Sequence, residues 1–371
     1  MSKIVKIKEK STTEVVKEAV DLLKQGGLIV FPTETLYGIG ADATNQEAIN
    51  KLLEYKARRE GKPLSIAVDS LQMAEKYVEV NEIARNLYTN FLPGPLTVVS
   101  KSKGKVAKGV ESELGTLGVR IPAYELVLDI VSAFGKPITA TSANASYQKR
   151  PYTVDDVLNS ISKKQQDLIS LILDAGELPK REPSTVVDTT LNQEVVLRQG
   201  DIKLTKVLEK ETNAPEETQN LGFELLKKYY HYLGYKSVIF AMQGQLGAGK
   251  TEMTKGIGKA LGVEEPINSP TFIIEKEYTF STPEDSYLRE KKPKFYHIDT
   301  WRLFQSSELE QLGFAKKVAE GNVFVVEWAD KISDLLKSVS EDAVIVWVKI
   351  EHGKEETHRQ IVVSDYVEKN I

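Results

Sequence analysis

A glycine-rich segment that ends in lysine and threonine, residues 244–251, has the spacing of a phosphate-binding loop. Its sequence GQLGAGKT matches the consensus G-x-x-x-x-G-K-[ST] at every fixed position. In such a loop the glycines let backbone N–H groups surround phosphate oxygens, a lysine adds positive charge, and a hydroxyl suits Mg²⁺. The residues that we expect to bind a nucleotide are Gly247, Ala248, Gly249, Lys250 and Thr251. The alternative is a glycine-rich turn that binds no ligand.

Two carboxylates follow apolar runs downstream of this loop, where they could hold Mg²⁺ or orient a water molecule. Asp299 ends the run FYHID, and Glu327 ends the run VFVVE. An acid at a strand end is common, so either residue alone is equally well read as an ordinary acid. Behind a phosphate loop, Glu327 becomes the better candidate. Thr271, in the segment SPTF, lies where a switch segment would sense the γ-phosphate.

The first half of the chain has a different set of chemical groups, namely hydroxyls, amides and cations at the predicted ends of strands. They are Thr33, Thr35, Tyr37, Lys56, Arg58, Arg59, Lys62, Arg120, Ser142, Asn144, Ser184 and Arg198. Cations combined with short hydroxyl and amide donors suit an anionic ligand. The alternative is that the cations over 56–62 only end a helix, where the helix dipole favours positive charge.

Composition excludes several classes of protein. The chain has 371 residues and a net charge of −4, so no overall positive field attracts nucleic acid. It contains no cysteine, which excludes disulfides, Cys-ligated zinc and a cysteine nucleophile. The first residues lack the apolar core of a signal peptide, and the longest apolar runs are shorter than a membrane span. We therefore expect a cytoplasmic protein.

Helical and strand-like patterns are mixed along the chain and predict two domains, the first of class α/β or α+β and the second an α/β layer. Strands are predicted at 28–31, 64–68, 96–100, 118–122, 137–143, 168–174, 184–190, 194–200 and 237–243, and further strands in the segments FIIEKEYTF, KFYHIDTW, NVFVVEW and AVIVWVKI. Helices are predicted at 13–25, 45–57, 81–91, 124–133, 153–161, 217–230 and 250–261. The polar stretch after residue 203 is typical of a linker. The predicted domains are 1–203 and 214–371, with the linker at 204–213.

The first domain resembles the YrdC-like threonylcarbamoyl-AMP synthases over about residues 10–203. The shared motifs are FPTETLYGIG, KPLSIAV, PGPLTVV, GVRIP, PSTVVD and VLRQGDI, together with the pairs K-x-R at 56–58 and S-x-N at 142–144. The resemblance implies a twisted mixed sheet around a large positive cavity. It implies that L-threonine, bicarbonate and ATP give threonylcarbamoyl-AMP and pyrophosphate.

This resemblance also implies roles for individual residues. Lys56, Arg58, Ser142 and Asn144 would be catalytic; Arg198 and Thr116 would bind the nucleotide; Thr33, Lys62, Arg120, Thr141 and Ser184 would hold L-threonine. Two anionic reactants require positive charge at the site, and proximity would do most of the catalysis. Arg59 departs from the family pattern by adding charge, and residues 145–147 differ in the loop expected over the nucleotide.

The second domain resembles TsaE, the small ATPase of tRNA threonylcarbamoyladenosine synthesis, over about residues 214–360. The shared motifs are GQLGAGKT, SPTF, HIDTWRL, ELEQLGF and EWAD. The resemblance implies that Thr251 and Glu327 hold Mg²⁺, that Asp299 assists, and that Thr218 lies near the adenine. It implies TsaB–TsaD transferase proteins as partners. Gln245 and Trp301 depart from the family pattern, and neither change removes a phosphate ligand.

The leading interpretation is a bifunctional enzyme, with a synthase fused to an ATPase of the same tRNA modification pathway. One alternative is a YrdC-like RNA-binding module joined to a regulatory ATPase without synthase activity. A salt-dependent RNA affinity without threonine-dependent pyrophosphate release would favour it. Another alternative, a small-molecule kinase in the second half, has no second-substrate motif to support it.

Overall fold

The computed structural model describes most of the chain as two compact units, residues 1–203 and 204–371. The described residues are 3–56, 63–144, 149–190, 195–198, 200, 207–270, 273–280, 292–303, 305–355 and 357–364. Each unit has its own sheets and its own buried core. Within these ranges, no helix combines the length and apolar character needed to cross a membrane.

The first unit mixes short strands with helices. Its helices are α1 (Thr12–Lys24), α2 (Gln46–Lys56), α3 (Leu71–Ala74), α4 (Glu82–Phe91), α5 (Glu125–Phe134), α6 (Val154–Asn159) and α7 (Lys163–Leu168), with a 3-10 turn at Ile7–Glu9. Its strands are β1 (Lys3–Lys6), β2 (Leu28–Pro32), β3 (Tyr37–Gly40), β4 (Ser65–Ala67), β5 (Leu96–Lys101), β6 (Thr116–Arg120), β7 (Ile138–Thr139), β8 (Thr141–Ser142), β9 (Ile169–Asp174), β10 (Thr185–Asp188) and β11 (Val195–Arg198).

The described strands of this unit form two mixed sheets. One has the order β1-β9-β2-β3-β8, and the other has the order β11-β10-β5-β6-β4-β7. Strand β2 is buried at every position, as expected for a strand covered on both faces. At the start of α1, Ser11 and Glu14 form a reciprocal capping box that satisfies two backbone N–H groups.

The second unit is one mixed sheet with helices packed against it. Its strands are β12 (Val207–Thr212), β13 (Ser237–Gln243), β14 (Glu275–Tyr278), β15 (Phe295–Asp299), β16 (Val323–Glu327), β17 (Ala343–His352) and β18 (Arg359–Ser364). Its helices are α8 (Pro215–Tyr229), α9 (Lys250–Leu261), α10 (Ser307–Gln311), α11 (Phe314–Val318) and α12 (Ser333–Ser338), with 3-10 turns at Tyr230–Tyr232 and Ala329–Ile332. The described strands have the order β12-β18-β17-β13-β16-β15-β14.

Strands β13, β16 and β15 run parallel in the middle of this sheet, so their carboxyl ends meet at one edge. Helix α9 packs closely on α8 because glycines face the contact. A Cβ atom on Gly256 would lie 1.8 Å from the carbonyl oxygen of Gln219, and one on Gly222 would lie 2.4 Å from that of Met253. The phosphate loop therefore leaves β13 at the sheet edge and enters a tightly held helix.

The secondary structure differs from the prediction in several places; strands β1 and β3 and helix α3, for example, were not predicted. Residues 207–212, predicted as linker, form strand β12, which pairs with β18 through backbone hydrogen bonds that side-chain polarity does not reveal. The single strand predicted at 137–143 is two short strands, β7 and β8, which belong to different sheets. Helix α7 was not predicted, because none of its six residues is buried and its sequence therefore lacks the apolar face of a packed helix.

Candidate functional site

In the first unit, the last turn of α2 holds the segment 142–144. The ammonium of Lys56 donates hydrogen bonds to the carbonyl oxygens of Ser142 at 2.8 Å and Asn144 at 2.7 Å. The Tyr55 hydroxyl donates to the carbonyl oxygen between them, that of Ala143. Lys56 is only 5% exposed, so its charge acts with little solvent screening. The K-x-R lysine and the S-x-N segment are therefore in direct contact.

The turn between β2 and β3 lies beside this segment. Strand β3 pairs Gly38 with Ser142, and the Tyr37 carbonyl oxygen accepts from the backbone N–H of Ala143 at 2.9 Å. Within the turn, the Thr33 hydroxyl donates to the carbonyl oxygen of Leu36 at 2.7 Å. Thr33 is 3% exposed, and its hydroxyl holds the turn closed.

Glu34, in the same turn, joins the two sheets through a buried ion pair. Its Oε1 accepts a hydrogen bond from Nη2 of Arg120 at 2.6 Å, and the two side chains are only 7% and 9% exposed. A single hydrogen bond joins the two side chains. Among the described residues, Oε2 of Glu34 and Nε of Arg120 have no partner. Buried charges of this kind hold each other in place, because losing either leaves the other unpaired.

A third group lies at the end of the other sheet. Nε and Nη2 of Arg198 donate to the Ser184 carbonyl oxygen at 3.1 and 2.8 Å, and Nη2 also donates to the Ser184 hydroxyl at 3.1 Å. The Ser184 hydroxyl lies 3.1 Å from that of Thr97. Because β5 pairs with β6 at Val98 and Val119, Thr97 and Arg120 lie at the same end of the sheet.

The structure also places three other predicted side chains. Thr116 lies at the opposite end of β6 from Arg120, and its hydroxyl lies 2.7 Å from that of Ser112. Thr141 pairs with Ile39 in β8, next to Ser142. The Tyr37 hydroxyl binds backbone groups of residues 175 and 176, and burial raises its pKa to about 12. Arg58, Arg59, Lys62 and residues 145–147 lie outside the described residues.

In the second unit, the phosphate loop has the backbone that its glycines predict. Gly249, the N-cap residue of α9, has φ = +105°, a value that disfavours residues with a Cβ atom. Gly244 lies so close to β17 that a Cβ atom would be 2.4 Å from the carbonyl oxygen of Ile350. The side chain of Leu246, at the tip of the loop, is 84% exposed. The loop therefore requires glycine at positions 244 and 249, and the side chain at its tip lies in solvent.

Lys250 points back across the loop. Its ammonium donates to the carbonyl oxygens of Gly244 at 2.8 Å and Gln245 at 2.9 Å, and lies 4.1 Å from the ring centre of Trp328. Burial lowers the pKa of Lys250, while the nearby carboxylates, chiefly that of Glu327, oppose the change. Trp328 in turn packs on Trp301, with ring centres 4.5 Å apart. The departure at Trp301 thus adds aromatic surface beside the ring that contacts Lys250.

The two predicted carboxylates end neighbouring strands, since β15 and β16 pair Asp299 with Glu327. Oε1 of Glu327 accepts from the Thr251 hydroxyl at 3.0 Å and lies 2.9 Å from Nε2 of the fully buried His297. Oδ2 of Asp299 accepts from the Ser269 hydroxyl at 3.2 Å. A hydroxyl and two carboxylates are hard oxygen ligands, so this set suits Mg²⁺ shared with phosphates. Thr271 lies outside the described residues.

A pocket of about 230 Å³ opens beside the loop. The lining residues are Pro215, Thr218, Gly249, Glu252, Thr357 and Arg359. Thr218 is 2% exposed, and its hydroxyl lies 2.8 Å from that of Thr212 on β12. The structure thus brings Thr218 to the phosphate loop, next to a space for a ligand.

Sequence reasoning missed Glu34, His297 and Arg359. Glu34 stands between two threonines that were considered, and its pairing with Arg120 depends on two sheets meeting. His297 lies in the quoted segment HIDTWRL, and only strand pairing shows that it faces Glu327. Arg359 is separated from the phosphate loop by more than a hundred residues, so no local pattern could have identified it.

Two family models match the chain. The Sua5/YciO/YrdC model, described as "Telomere recombination", matches residues 21–200. A protein of Methanocaldococcus jannaschii named "Putative threonylcarbamoyl-AMP synthase" is 34% identical over 210 residues, which are 56% of this chain and 97% of that protein. The chain belongs to the Sua5/YciO/YrdC family.

The model "Threonylcarbamoyl adenosine biosynthesis protein TsaE" matches residues 212–361. The chain is therefore a fusion of these two families.

The chain is also similar to proteins of Pyrococcus abyssi. A threonylcarbamoyl-AMP synthase of that organism is 34% identical over 208 residues, which are 56% of this chain and 60% of that protein. A solved structure of P. abyssi Sua5 complexed with L-threonine has a TM-score of 0.50 at 21% identity, covering 93% of this chain and 98% of that one. At this identity the structural match supports the fold alone, an α/β architecture with mixed sheets.

Proposed function

We propose that this chain is a bifunctional enzyme of tRNA threonylcarbamoyladenosine synthesis, with the first unit as synthase and the second as ATPase. The two units would be its two domains. Two family matches that belong to one pathway support this proposal. The observation that carries the synthase assignment is the contact of Lys56 with the carbonyl oxygens of Ser142 and Asn144.

The synthase reaction joins anions, so its site has to supply positive charge. The amino group of L-threonine attacks the carbon of bicarbonate and forms a carbamate with loss of water, and a carbamate oxygen then attacks the α-phosphorus of ATP as pyrophosphate leaves. Lys56 and Arg198 would stabilise the phosphates, while Ser142 and Asn144 fix the nucleotide. Thr33, Arg120 and Ser184 would hold L-threonine. No protein nucleophile is needed, because binding brings the reactants together.

The second unit would bind and hydrolyse ATP. Backbone N–H groups of the loop and Lys250 would hold the phosphates, and Thr251 and Glu327 would hold Mg²⁺. When bound, Mg²⁺ neutralises charge that develops on the transferring phosphoryl group. Asp299 would assist the metal or the water molecule, and Thr218 would lie near the adenine. Hydrolysis would drive the cycle of a TsaB–TsaD-like transferase, in the cytoplasm where tRNA and ATP are available.

The direct test of the synthase assignment is incorporation of ¹⁴C-bicarbonate by the full-length protein. With ATP and L-threonine we expect a labelled product that co-migrates with threonylcarbamoyl-AMP. D-threonine should give none. Absence of label with L-threonine, together with salt-dependent binding of tRNA, would instead favour an RNA-binding module.

The partner assignment has its own test. Tagged full-length protein should capture TsaB–TsaD-like proteins added in purified form, and ATP should change the amount captured. If these proteins do not bind the full chain in either condition, the proposed coupling is wrong.

A further inference from the structure

Arg359 stands at the start of β18, and its guanidinium crosses to the phosphate loop. Nε donates to the carbonyl oxygen of Ala248 at 2.8 Å, and Nη2 donates to that of Gly247 at 3.1 Å. Nη1 donates to the carbonyl oxygen of its neighbour His358 at 2.8 Å. The planar fork of an arginine suits two adjacent acceptors, and its charge persists at all ordinary pH values.

These bonds fix the orientation of a peptide group in the loop. A trans peptide group is planar, and its N–H points away from its carbonyl oxygen. Holding the carbonyl oxygen of Ala248 therefore directs the N–H of Gly249 away from Arg359. The N–H of Ala248 closes a turn onto the carbonyl oxygen of Gln245 at 3.2 Å. Arg359 thus acts on the part of the loop where Gly247 and Gly249 have positive φ.

The strands around Arg359 make it a rigid support. Strand β18 pairs Arg359 with His352 of β17 on one side and with Thr212 of β12 on the other. Strand β17 is the direct neighbour of β13, which leads into the loop. The sheet therefore fixes the backbone of Arg359 beside the loop, and the hydrogen bonds to the loop carbonyl oxygens position its guanidinium.

We propose that Arg359 is a positioning residue for the nucleotide: it sets the phosphate loop so that backbone N–H groups meet the phosphates. This inference rests on the proposed nucleotide site of the second unit and adds a residue outside its sequence motifs. Because Arg359 acts on the loop, its loss weakens the binding of every ligand that carries a phosphate chain, whether or not that ligand contains a nucleoside.

The chain contains its own reporter for the test. All three tryptophans, Trp301, Trp328 and Trp347, lie in the second unit, and Trp328 contacts Lys250. Tryptophan fluorescence of the full-length protein therefore follows this site, even though the first unit also uses ATP. The probes are ADP and inorganic pyrophosphate with Mg²⁺.

Three variants complete the design. Arg359→Met removes the fork, and Arg359→Lys keeps the charge but offers a single point donor. Lys294→Met is the matched control, because Lys294 pairs with Glu277 at 2.7 Å near the opposite end of β15 from Asp299. Thermal melting of each variant shows whether the second unit is folded.

We expect Arg359→Met to weaken the binding of ADP and of pyrophosphate by the same factor, about tenfold or more. Arg359→Lys should restore only part of the lost affinity. Lys294→Met should bind as wild type does. Unchanged binding in folded Arg359→Met would overturn the inference. Weaker binding of ADP with unchanged binding of pyrophosphate would also overturn it, because Arg359 would then contact only the nucleoside. If the wild-type protein binds neither ADP nor pyrophosphate, the proposed nucleotide site is wrong, and this inference is wrong with it.

Discussion

Removing Arg120 should destabilise the first unit more than the loss of a surface charge would. In Arg120→Met the carboxylate of Glu34 keeps its buried place in the turn but loses its ion-pair partner at 2.6 Å. Both side chains are less than one-tenth exposed, so water cannot replace the guanidinium. Removing one partner of a buried pair costs about 3–5 kcal/mol. For a unit of this size, that lowers the melting temperature by about 6–20 °C.

The assay is differential scanning calorimetry of the full chain, with hydrogen exchange in peptides of residues 1–203 to assign the transition. Glu34→Gln alone should cost a similar amount, because it leaves the guanidinium unpaired. The double variant should recover most of the loss, since neither buried charge then remains. It should still lack threonine-dependent activity, which separates stability from substrate binding. Additive losses in the double variant would refute the reasoning, because independent groups behave in that way.

Three further predictions concern other parts of the chain. Gly256→Ala should lower the free energy of unfolding by about 1–3 kcal/mol, because its Cβ atom would lie 1.8 Å from the carbonyl oxygen of Gln219. Hydrogen exchange in α8 and α9 should become faster, and unchanged exchange would contradict this prediction. Hydrogen bonds, chiefly the one from Lys10, lower the pKa of Glu18 below its usual 4.5. The interaction between Glu18 and Lys10 therefore stabilises the fold above pH 4.5, and this stabilisation is lost as the pH falls through the lowered pKa. Glu18→Gln should therefore melt earlier than wild type at pH 7, with the difference vanishing in acid; a constant difference would contradict the sign. Thr251→Val should slow ATP hydrolysis by about 10²-fold while ADP still binds without Mg²⁺, and an unchanged rate would exclude the hydroxyl as a metal ligand.

How far the sequence predicts the structure depends on whether the information is local. The phosphate loop lies within eight consecutive residues, so its consensus predicted both its conformation and its neighbouring strand and helix. The pairing of β15 with β16, which places Asp299 beside Glu327, was not predicted, because it depends on which strands become neighbours in the sheet. Strand β12 was missed since its alternating charged residues look like linker, while its pairing with β18 depends on residues about 150 positions later.

The first site shows the same limit. The resemblance to the YrdC-like synthases implied that Lys56 and Ser142 serve one site, and the structure places them in contact. The motifs did not predict that Glu34 pairs with Arg120, because this contact exists only where two sheets meet. Thr116 was grouped with the nucleotide ligands, yet it lies at the far end of its strand from Arg120. Sequence therefore identified residue types better than it identified their partners.

The most direct test of the whole account is to measure pyrophosphate and phosphate release separately from the full-length protein. Wild type, Lys56→Ala and Lys250→Ala receive ATP and bicarbonate, with and without L-threonine. We predict that threonine-dependent pyrophosphate release is lost only in Lys56→Ala and that phosphate release is lost only in Lys250→Ala. Phosphate release that depends on Lys250, with no threonine-dependent pyrophosphate in any sample, would contradict the account and leave an ATPase joined to a binding domain.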